Sequence, residues 1–262
     1  MKFKDKVVLV SGATGGIGEA LVKQLSNEKC KIAIFSRRED KLEKLSKEVN
    51  KGKSECVYKK CDVTKKTDVE NAVKFTKNKF GRIDVAFLNA GILIPNPIET
   101  FDGSIITKTM EVNFFGNVYF LESLLPIMKK QDKSVIAVTS TLPDRRGVPG
   151  WGAYGASKAA TSWLVESLRA EAKNKYNISM ITIKPGAVET PMIKDFERKG
   201  SLSSEAAAKK IINGVKKGRK IIQFPMIPVL ATRLSDFFPP FVYDKQNMDM
   251  LKGEGYPKVE EK

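Results

Sequence analysis

A single-domain α/β fold is predicted, built on a doubly wound parallel sheet of about seven strands with helices on both faces. The chain has 262 residues, of which 42% are hydrophobic and 29% charged, enough for one large core. Short runs rich in β-branched residues alternate along the chain with longer stretches of helical periodicity. Consecutive positions within the runs are apolar, as expected for parallel strands that are covered on both faces.

Each strand is expected where a short apolar run ends at a turn. In chain order the strands are Val7 to Val10, Ile32 to Phe35, Cys56 to Cys61, Val85 to Leu88, Val135 to Ser140, Ile178 to Ile183, and a seventh at Lys220 to Phe224. Each helix is expected between two strands, where apolar residues recur every three or four positions. The helices run from the first strand to about Glu28, then over Glu39 to Val49, Thr67 to Lys79, Ser104 to Lys130, Gly152 to Lys175, and Ser203 to Lys217.

Residues 1–225 are expected to form one domain, because no repeat, linker or change in composition divides them. Residues 226–262 follow as an apolar segment and a charged tail, either part of that domain or an extension that serves as a lid or interface. Prolines and two charged residues interrupt the apolar stretch 224–243, which excludes a membrane-spanning helix. A lid, a subunit contact and an interfacial patch remain open, and contact with a membrane surface is not favoured. The residues from about Gln246 onward are expected to be loosely held.

The sequence contains no histidine, which excludes a Ser-His-Asp triad, a Cys-His pair and a histidine zinc site. No metal site is expected. Cys30, Cys56 and Cys61 have neither CxxC nor metal-ligand spacing, so reduced thiols and a cytoplasmic location are expected. The net charge of +16 comes from scattered lysines, which indicates a solvated basic surface without a nucleic-acid partner.

A glycine cluster joins the first predicted strand to the first helix and reads Ser11-Gly12-Ala13-Thr14-Gly15-Gly16-Ile17-Gly18. Gly12 allows a tight turn, Gly16 allows backbone N–H groups to approach a pyrophosphate, and Gly18 allows the helix to lie close to the strand. The helix N-terminus adds unsatisfied donors and the positive end of a dipole. The cluster therefore predicts a dinucleotide-binding turn with these contact residues: Gly12, Thr14, Gly16, Ile17 and Gly18.

Ser36, Arg37 and Arg38 follow the second strand, where an acidic residue would bond the ribose hydroxyls of NAD(H). A hydroxyl and guanidinium groups instead suit the dianionic 2′-phosphate of NADP(H). We therefore predict NADP(H) as the cofactor. Ser36 and Arg37 are expected to contact it, and Arg38 is expected to face solvent.

Tyr154 and Lys158 lie four positions apart at the start of a predicted helix, so both side chains can point into one cleft. A free tyrosine, with a pKa of about 10, is a slow acid or base at neutral pH. A fixed positive charge beside it stabilises the phenolate and lowers that pKa. In a chain without histidine, this is the most credible proton-transfer pair.

Several motifs in this order resemble the short-chain dehydrogenase/reductase family, and the resemblance covers roughly residues 5–225. The motifs are the glycine turn like TGxxxGxG, Asp62-Val63 like the adenine contact, Asn89-Ala90-Gly91 like NNAG, Asn113 like the helix asparagine, Tyr154 with Lys158, and Lys184-Pro185-Gly186-Ala187-Val188-Glu189-Thr190 like PGxVxT. The family implies a Rossmann-like fold and an oxidoreductase that interconverts a carbonyl and an alcohol with a nicotinamide cofactor.

The resemblance also implies a role for each matching residue. Tyr154 would donate or accept the substrate proton, Lys158 would bond the nicotinamide ribose, and Asn113 would hold a water in a proton relay. The other matches would contact the cofactor: Asp62 and Val63 at the adenine, Asn89, Ala90 and Gly91 along the cleft, and Pro185, Gly186, Val188 and Thr190 toward the nicotinamide.

Two positions depart from the pattern of the family. Leu88 stands where the first asparagine of NNAG is usual, and we expect it to fill the end of the fourth strand. The catalytic serine usually lies thirteen positions before the tyrosine, which here is Thr141, whereas the strand pattern points to Ser140. Either hydroxyl can bond a substrate carbonyl, so both are candidates. Ser140 is slightly preferred because it keeps the usual side chain.

The segments without a motif are expected to select the substrate. An apolar pocket is predicted from Ile92 to Pro95, Trp151, Met192, Ile193 and the 224–243 stretch, which suits a lipophilic ketone, aldehyde or alcohol. A dinucleotide-binding sensor or scaffold with vestigial catalytic residues is the alternative function.

A homodimer or homotetramer is expected, because members of the family commonly pair the helices that begin here near Ser104 and Gly152. The outer faces of these helices are expected to carry four apolar residues, Phe115, Phe120, Trp163 and Leu164.

Overall fold

A parallel sheet of seven strands forms the centre of the computed structural model, which describes residues 1–193 and 201–244. The strands of this sheet are β1 (Val7–Ser11), β2 (Lys31–Ser36), β3 (Glu55–Lys60), β4 (Val85–Leu88), β5 (Ser134–Thr139), β6 (Ile178–Pro185) and β9 (Ile221–Phe224). A separate parallel pair consists of β7 (Val188–Glu189) and β8 (Leu202–Ser203). The order in the large sheet is β3-β2-β1-β4-β5-β6-β9, so the direction of winding reverses between β1 and β4.

Helices cover both faces of the sheet. They are α1 (Gly16–Leu25), α2 (Glu39–Val49), α3 (Lys66–Phe80), α4 (Gly103–Met110), α5 (Gly116–Met128), α6 (Gly152–Tyr176), α7 (Ser204–Lys216), α8 (Met226–Ser235) and α9 (Pro240–Tyr243). One core cluster joins α1, α2 and α7 to the sheet, and a second joins α3, α5 and α6 to the other face. Val8 and Val10 of β1 belong to the first cluster and Leu9 to the second, because side chains alternate across a strand. The predicted doubly wound α/β fold is confirmed.

Most elements lie within two residues of their expected bounds, and α2 and β4 coincide with them. α1 is the exception, since it ends at Leu25 and not at about Glu28. The backbone turns there to enter β2, and Lys29 has a left-handed φ of 55°. Before Lys29, the N–H groups of Asn27 and Glu28 donate to carbonyls three residues earlier, so the chain leaves the α-helix in tighter turns.

A π-helical segment, Glu111–Phe115, lies between α4 and α5, where the sequence predicts one unbroken helix. Its wider turn is closed by the Gly116 N–H, which donates to the Glu111 carbonyl. The Asn113 carbonyl accepts hydrogen bonds from the side chains of Asn117 (2.6 Å) and Thr161 (3.2 Å). Neighbouring side chains therefore satisfy a backbone group that the π turn displaces, and single π turns of this kind often occur at functional sites.

The C-terminal apolar stretch forms α8 and α9 beyond β9. Val229 is the only buried residue of α8, so this helix lies on the surface of the molecule. No helix in the described ranges combines the length and hydropathy that crossing a bilayer requires. The polar tail expected from about Gln246 lies outside the described residues.

The apolar residues expected on the outer faces of the two long helices lie in the π-helical segment, α5 and α6, and divide into two groups. Phe115 and Trp163 are exposed, Trp163 by 78%. Phe120 is fully buried in the core beneath the sheet, and Leu164 is partly buried against the same core. The expectation for Phe120 is wrong, because α5 turns this side chain toward the sheet.

Candidate active site

A cavity of about 1250 Å³ opens at the carboxyl end of the sheet. It includes the point between β1 and β4 where the winding reverses, which is where doubly wound sheets bind ligands. Every residue predicted to be catalytic or to contact the cofactor lines this cavity, except Gly18 and Asn113. Of the stretch Ile92 to Pro95 predicted for the substrate pocket, Ile94 and Pro95 do not line it. Gly18 and Asn113 are themselves buried, next to residues that line it. The fold thus brings together positions that lie far apart in sequence.

The glycine turn packs tightly against two other segments of the cavity wall. Gly12 has φ of 65°, and a Cβ atom on it would lie 2.7 Å from the Cα of Ala90. A Cβ atom on Gly18 would lie 2.8 Å from Nδ2 of Asn89, and one on Gly16 would lie 2.7 Å from Cβ of Thr190. All three approaches require glycine.

The first turn of α1 is open to a ligand from the cavity. Its N-cap is Gly15, which has no side chain to accept a hydrogen bond from the helix amides. Such amides, together with the helix dipole, favour an anion at this position. This geometry agrees with a turn that binds pyrophosphate.

Arg38 lies over the glycine turn. Its guanidinium group donates to the Thr14 carbonyl (2.7 Å) and to Oγ1 of Thr14 (3.1 Å). Oγ1 of Thr14 in turn donates to Oγ of Ser36 (2.9 Å). Arg38 is exposed as expected, but its guanidinium group also binds the glycine turn, which the sequence did not predict. Arg37 is exposed and lines the same end of the cavity, so two guanidinium groups lie beside the end of β2.

Tyr154 and Lys158 both line the cavity from the first turns of α6. Nζ of Lys158 lies 5.8 Å from the centre of the Tyr154 ring and donates to the Thr139 carbonyl at 2.8 Å. The lysine is only 3% exposed, and this burial lowers the pKa of its ammonium group to about 8. Trp151 contacts the edge of the Tyr154 ring, with the ring centres 6.4 Å apart.

Asn113 lies in the π-helical segment, and its side chain holds the loop that follows β4. Its Nδ2 donates to the Ile92 carbonyl (2.9 Å), and the Ile92 N–H donates to its Oδ1 (2.8 Å). A Cβ atom on Gly91 would lie 3.3 Å from Oδ1 of Asn113 and 3.4 Å from Nζ of Lys158. Gly91 therefore lets the loop pass close to both groups, which a side chain at this position would crowd.

The two candidate hydroxyls differ in their surroundings. Oγ of Ser140 donates to the backbone carbonyl of Lys158 at 2.9 Å and lies 2.7 Å from Oγ of Ser162. Thr141 lines the cavity, and its hydroxyl makes no hydrogen bond within the described residues. Ser140 is thus engaged with α6, whereas the hydroxyl of Thr141 is available to a ligand.

An ion pair in the cavity wall was missed by the sequence analysis. Nζ of Lys184 lies 2.6 Å from Oδ2 of Asp144, and the Ser162 hydroxyl donates to the same oxygen. Forty residues separate Asp144 from Lys184 in the sequence, and no spacing rule connects them. Lys184 could be noticed only as the residue before the Pro-Gly motif.

Cys61 also lines the cavity, but it is not a nucleophile near neutral pH. Burial raises the pKa of its thiol to about 12. A thiol with such a pKa is almost entirely protonated and unreactive.

A family model described as short chain dehydrogenase matches residues 6–200 of this chain. Among curated relatives, a 3-ketodihydrosphingosine reductase of Dictyostelium discoideum is 31% identical over 92% of this chain and 81% of its own. The match of the family model covers most of the chain, in the part that holds the glycine turn, Tyr154 and Lys158. The chain belongs to the short-chain dehydrogenase family.

Two solved structures have the same fold. A short-chain dehydrogenase/reductase from Burkholderia phymatum, in complex with NAD, superposes with a TM-score of 0.83 at 19% identity, over 89% of this chain and 94% of that one. An alcohol dehydrogenase from Thermococcus sibiricus, complexed with 5-hydroxy-NADP, superposes with a TM-score of 0.77 at 27% identity, over 84% and 95%.

Proposed function

We propose that this protein is an NADP(H)-dependent oxidoreductase that reduces a lipophilic ketone or aldehyde, with Tyr154 as the general acid/base. The observation that carries the proposal is that Tyr154 and Lys158 line the same cavity as the glycine turn. A proton donor and a dinucleotide-binding turn in one cleft are what carbonyl reduction requires.

The residues of the cavity fit a nicotinamide dinucleotide. The glycine turn and the open first turn of α1 suit the pyrophosphate, and Asp62 and Val63, which line the same cavity, are assigned to the adenine. Val188 and Thr190 also line the cavity, and Thr190 packs against Gly16 of the glycine turn. When bound, the cofactor supplies the hydride that reduces the carbonyl carbon.

A preference for NADP(H) is supported by the end of β2. Arg37 and Arg38 place two guanidinium groups there, and Ser36 adds a hydroxyl. A 2′-phosphate carries two negative charges, which guanidinium groups bind through charge-assisted hydrogen bonds. The Thermococcus relative, complexed with 5-hydroxy-NADP, agrees with this preference.

Tyr154 protonates the oxygen of the substrate in this mechanism, and Lys158 supports the resulting phenolate. An ammonium group close to a phenol favours the ionised form. The resemblance to the family implies that Asn113 holds a water, which would return a proton to the pair. Asn113 therefore acts by holding the loop after β4 and one end of this relay.

Thr141 is the hydroxyl that we assign to the substrate oxygen, although the sequence slightly favoured Ser140. The Thr141 hydroxyl is available in the cavity, whereas Ser140 bonds the backbone of Lys158. A donor placed at the developing oxyanion lowers the reaction barrier. Ser140 is then a positioning residue for the first turns of α6.

A lipophilic substrate is supported by the lining of the cavity beyond the cofactor residues. Five of its apolar members are Leu93, Leu142, Trp151, Met192 and Val229. Pockets with mainly apolar walls and few polar groups select apolar ligands. The Dictyostelium relative is named as a reductase of 3-ketodihydrosphingosine, which is a lipid ketone.

A homo-oligomer in the cytoplasm completes the proposal. Exposed Phe115 and Trp163 offer an apolar contact on the helices that the family commonly pairs. Cys30, Cys56 and Cys61 are unpaired and buried, which agrees with a reducing compartment.

The proposal is tested by a screen of cofactor oxidation with NADPH and NADH against chemically diverse ketones and aldehydes. We expect turnover with NADPH that increases with the length of the apolar chain of the substrate. NADH with comparable or higher catalytic efficiency would contradict the cofactor preference. Binding of NADPH without turnover of any carbonyl would favour the sensor function.

A further inference from the structure

An exposed apolar surface covers the C-terminal helices of the described chain. Its members, hereafter the C-terminal apolar face, are Met226, Ile227, Leu230, Leu234, Phe238, Phe241 and Val242, all exposed. Ile227, Leu230 and Leu234 recur at helical spacing and form one stripe along α8. A soluble monomer rarely exposes so many adjacent large apolar side chains without a partner.

The same segment has a second side, which is fixed to the protein. Pro228, Val229 and Thr232 of α8 line the candidate active-site cavity. Arg146 donates to the Asp236 carbonyl (2.9 Å) and lies over the ring of Tyr243, 5.0 Å from its centre. These contacts hold α8 and α9 with the C-terminal apolar face pointing away from the cavity.

We propose that the C-terminal apolar face docks on an anionic lipid bilayer. An amphipathic helix of this kind lies in the interface, with its apolar face about 5–10 Å into the boundary between headgroups and acyl chains. The net charge of the chain is +16. At the segment itself Arg145 is paired with Asp236 and Arg233 lines the cavity, so the attraction comes from the overall charge of the molecule. Each cationic residue near an anionic surface contributes about 1 kcal/mol to binding.

A second copy of this chain is proposed to bind elsewhere, at the surface that exposes Phe115 and Trp163. An anionic surface attracts a molecule with a net charge of +16. An apolar face combined with net positive charge complements a negatively charged lipid layer. The bilayer is therefore the partner that satisfies both features.

Docking would place the cavity beside the lipid phase, because α8 separates the cavity from the C-terminal apolar face. A lipophilic substrate could then enter without crossing water. This last step rests on the proposed function. The docking itself depends only on the exposed surface and its charge.

The test measures flotation of the full-length protein with vesicles, in the absence of cofactor and substrate. One set of vesicles is phosphatidylcholine alone, and the other contains about one third phosphatidylglycerol. Ile227→Glu places a charge on the C-terminal apolar face at a residue that is 85% exposed. Ile98→Glu is the matched control, because Ile98 is 87% exposed on a different segment.

We expect the wild type and Ile98→Glu to bind the anionic vesicles and Ile227→Glu to bind at least about tenfold more weakly. About 1 M salt should weaken binding, because it shortens the Debye length to about 3 Å. Equal binding by Ile227→Glu, equal loss in Ile98→Glu, or no flotation of the wild type would overturn the proposal. So would a dimer that Ile227→Glu converts to a monomer without a change in flotation, because a second copy would then cover the face.

A separate readout distinguishes this proposal from the proposed function. Ile227 does not line the cavity, so Ile227→Glu should bind NADPH as the wild type does. Vesicle binding by a protein that reduces no carbonyl would leave docking intact and contradict only the enzymatic role. Turnover of a small, soluble ketone without vesicle binding would support the enzymatic role and contradict only the docking.

Discussion

Lys158 is a basic residue buried in the wall of the cavity. Its ammonium group is buried and donates to the Thr139 carbonyl, and burial lowers its pKa from 10.5 to about 8. The folded protein therefore holds this proton less tightly than the unfolded chain does. A depressed pKa for a basic group means that folding is disfavoured wherever the group is protonated in both states.

The stability of the wild type relative to Lys158→Met should consequently rise with pH. Between about pH 8 and about pH 10.5 the unfolded chain binds a proton at Lys158 that the folded protein has released. A difference of this size in pKa corresponds to about 3 kcal/mol over the whole interval. Urea unfolding of both proteins across this range measures it. If the difference in unfolding free energy between the two proteins stays constant with pH, the ammonium group of Lys158 is solvated and the prediction is wrong.

Thr141 and Ser140 should separate in function and in stability. Thr141→Val removes a hydroxyl that is available in the cavity, so we expect turnover to fall about a hundredfold with little loss of stability. Ser140→Ala removes a donor to the Lys158 carbonyl, so we expect a loss of about 1–3 kcal/mol of stability and a smaller effect on turnover. Steady-state kinetics and denaturation of both variants decide the assignment, and the reverse pattern would return it to Ser140.

Side-chain contacts at this scale are only partly predictable from sequence. Tyr154 and Lys158 could be paired because four positions on a helix define a shared face. The contact of Arg38 with Thr14 was missed because it depends on how a turn and a strand end meet. The Asp144–Lys184 ion pair was missed because it links a loop to a distant strand.

At the scale of helices and strands, the cavity depends on how α1 packs against the sheet. Gly18 lies where a Cβ atom would collide with Asn89 and the Gly12 carbonyl. Gly18→Ala should push α1 away from β1, at a cost of about 1–3 kcal/mol. We expect the affinity for NADPH to fall at least about tenfold with it, because the phosphate turn moves with the helix.

Gly155 provides the matched control within another helix. A Cβ atom there would meet nothing within 4 Å. Gly155→Ala should therefore raise stability by about 0.5–1 kcal/mol through helix propensity and leave NADPH binding unchanged. Calorimetric titration with thermal unfolding measures both effects. If Gly18→Ala binds NADPH as tightly as Gly155→Ala does, the phosphate turn does not depend on the packing of α1, and the prediction is wrong.

Local patterns predicted some elements better than others. α2 and β4 are defined by their own residues, and their bounds agree with the sequence expectation. The π segment depends on Asn117 and Thr161, which satisfy the displaced Asn113 carbonyl, so periodicity within the helix could not reveal it. The end of α1 was likewise set by the entry into β2.

Assembly is a property of the whole molecule, and Trp163 is the residue that tests it. This side chain is exposed on α6, and a buried tryptophan is a common anchor of interfaces. We expect the wild type to sediment as a dimer or tetramer and Trp163→Glu to dissociate at micromolar concentration. Sedimentation velocity measures both. A monomeric wild type would contradict the proposed assembly.

The fold of the whole molecule could be predicted because its strands are buried on both faces and its helices are amphipathic. Val8 to Val10 alternate between two separate cores, which only a sheet covered on both sides allows. The surface role of α8 and α9 could not be settled in the same way. A sequence that is apolar but interrupted by prolines and charges agrees equally with a lid, a subunit contact and an interfacial patch.

The central claim is that Tyr154 transfers the substrate proton in a cavity that binds NADP(H), and Tyr154→Phe tests it most directly. Both the NADPH affinity and the single-turnover rate should be measured on the same preparations. We predict an affinity within about threefold of the wild type and a rate lower by about a thousandfold, within the range that a general acid contributes. A variant that keeps the wild-type rate, or one that loses cofactor binding and rate in equal proportion, would contradict the claim.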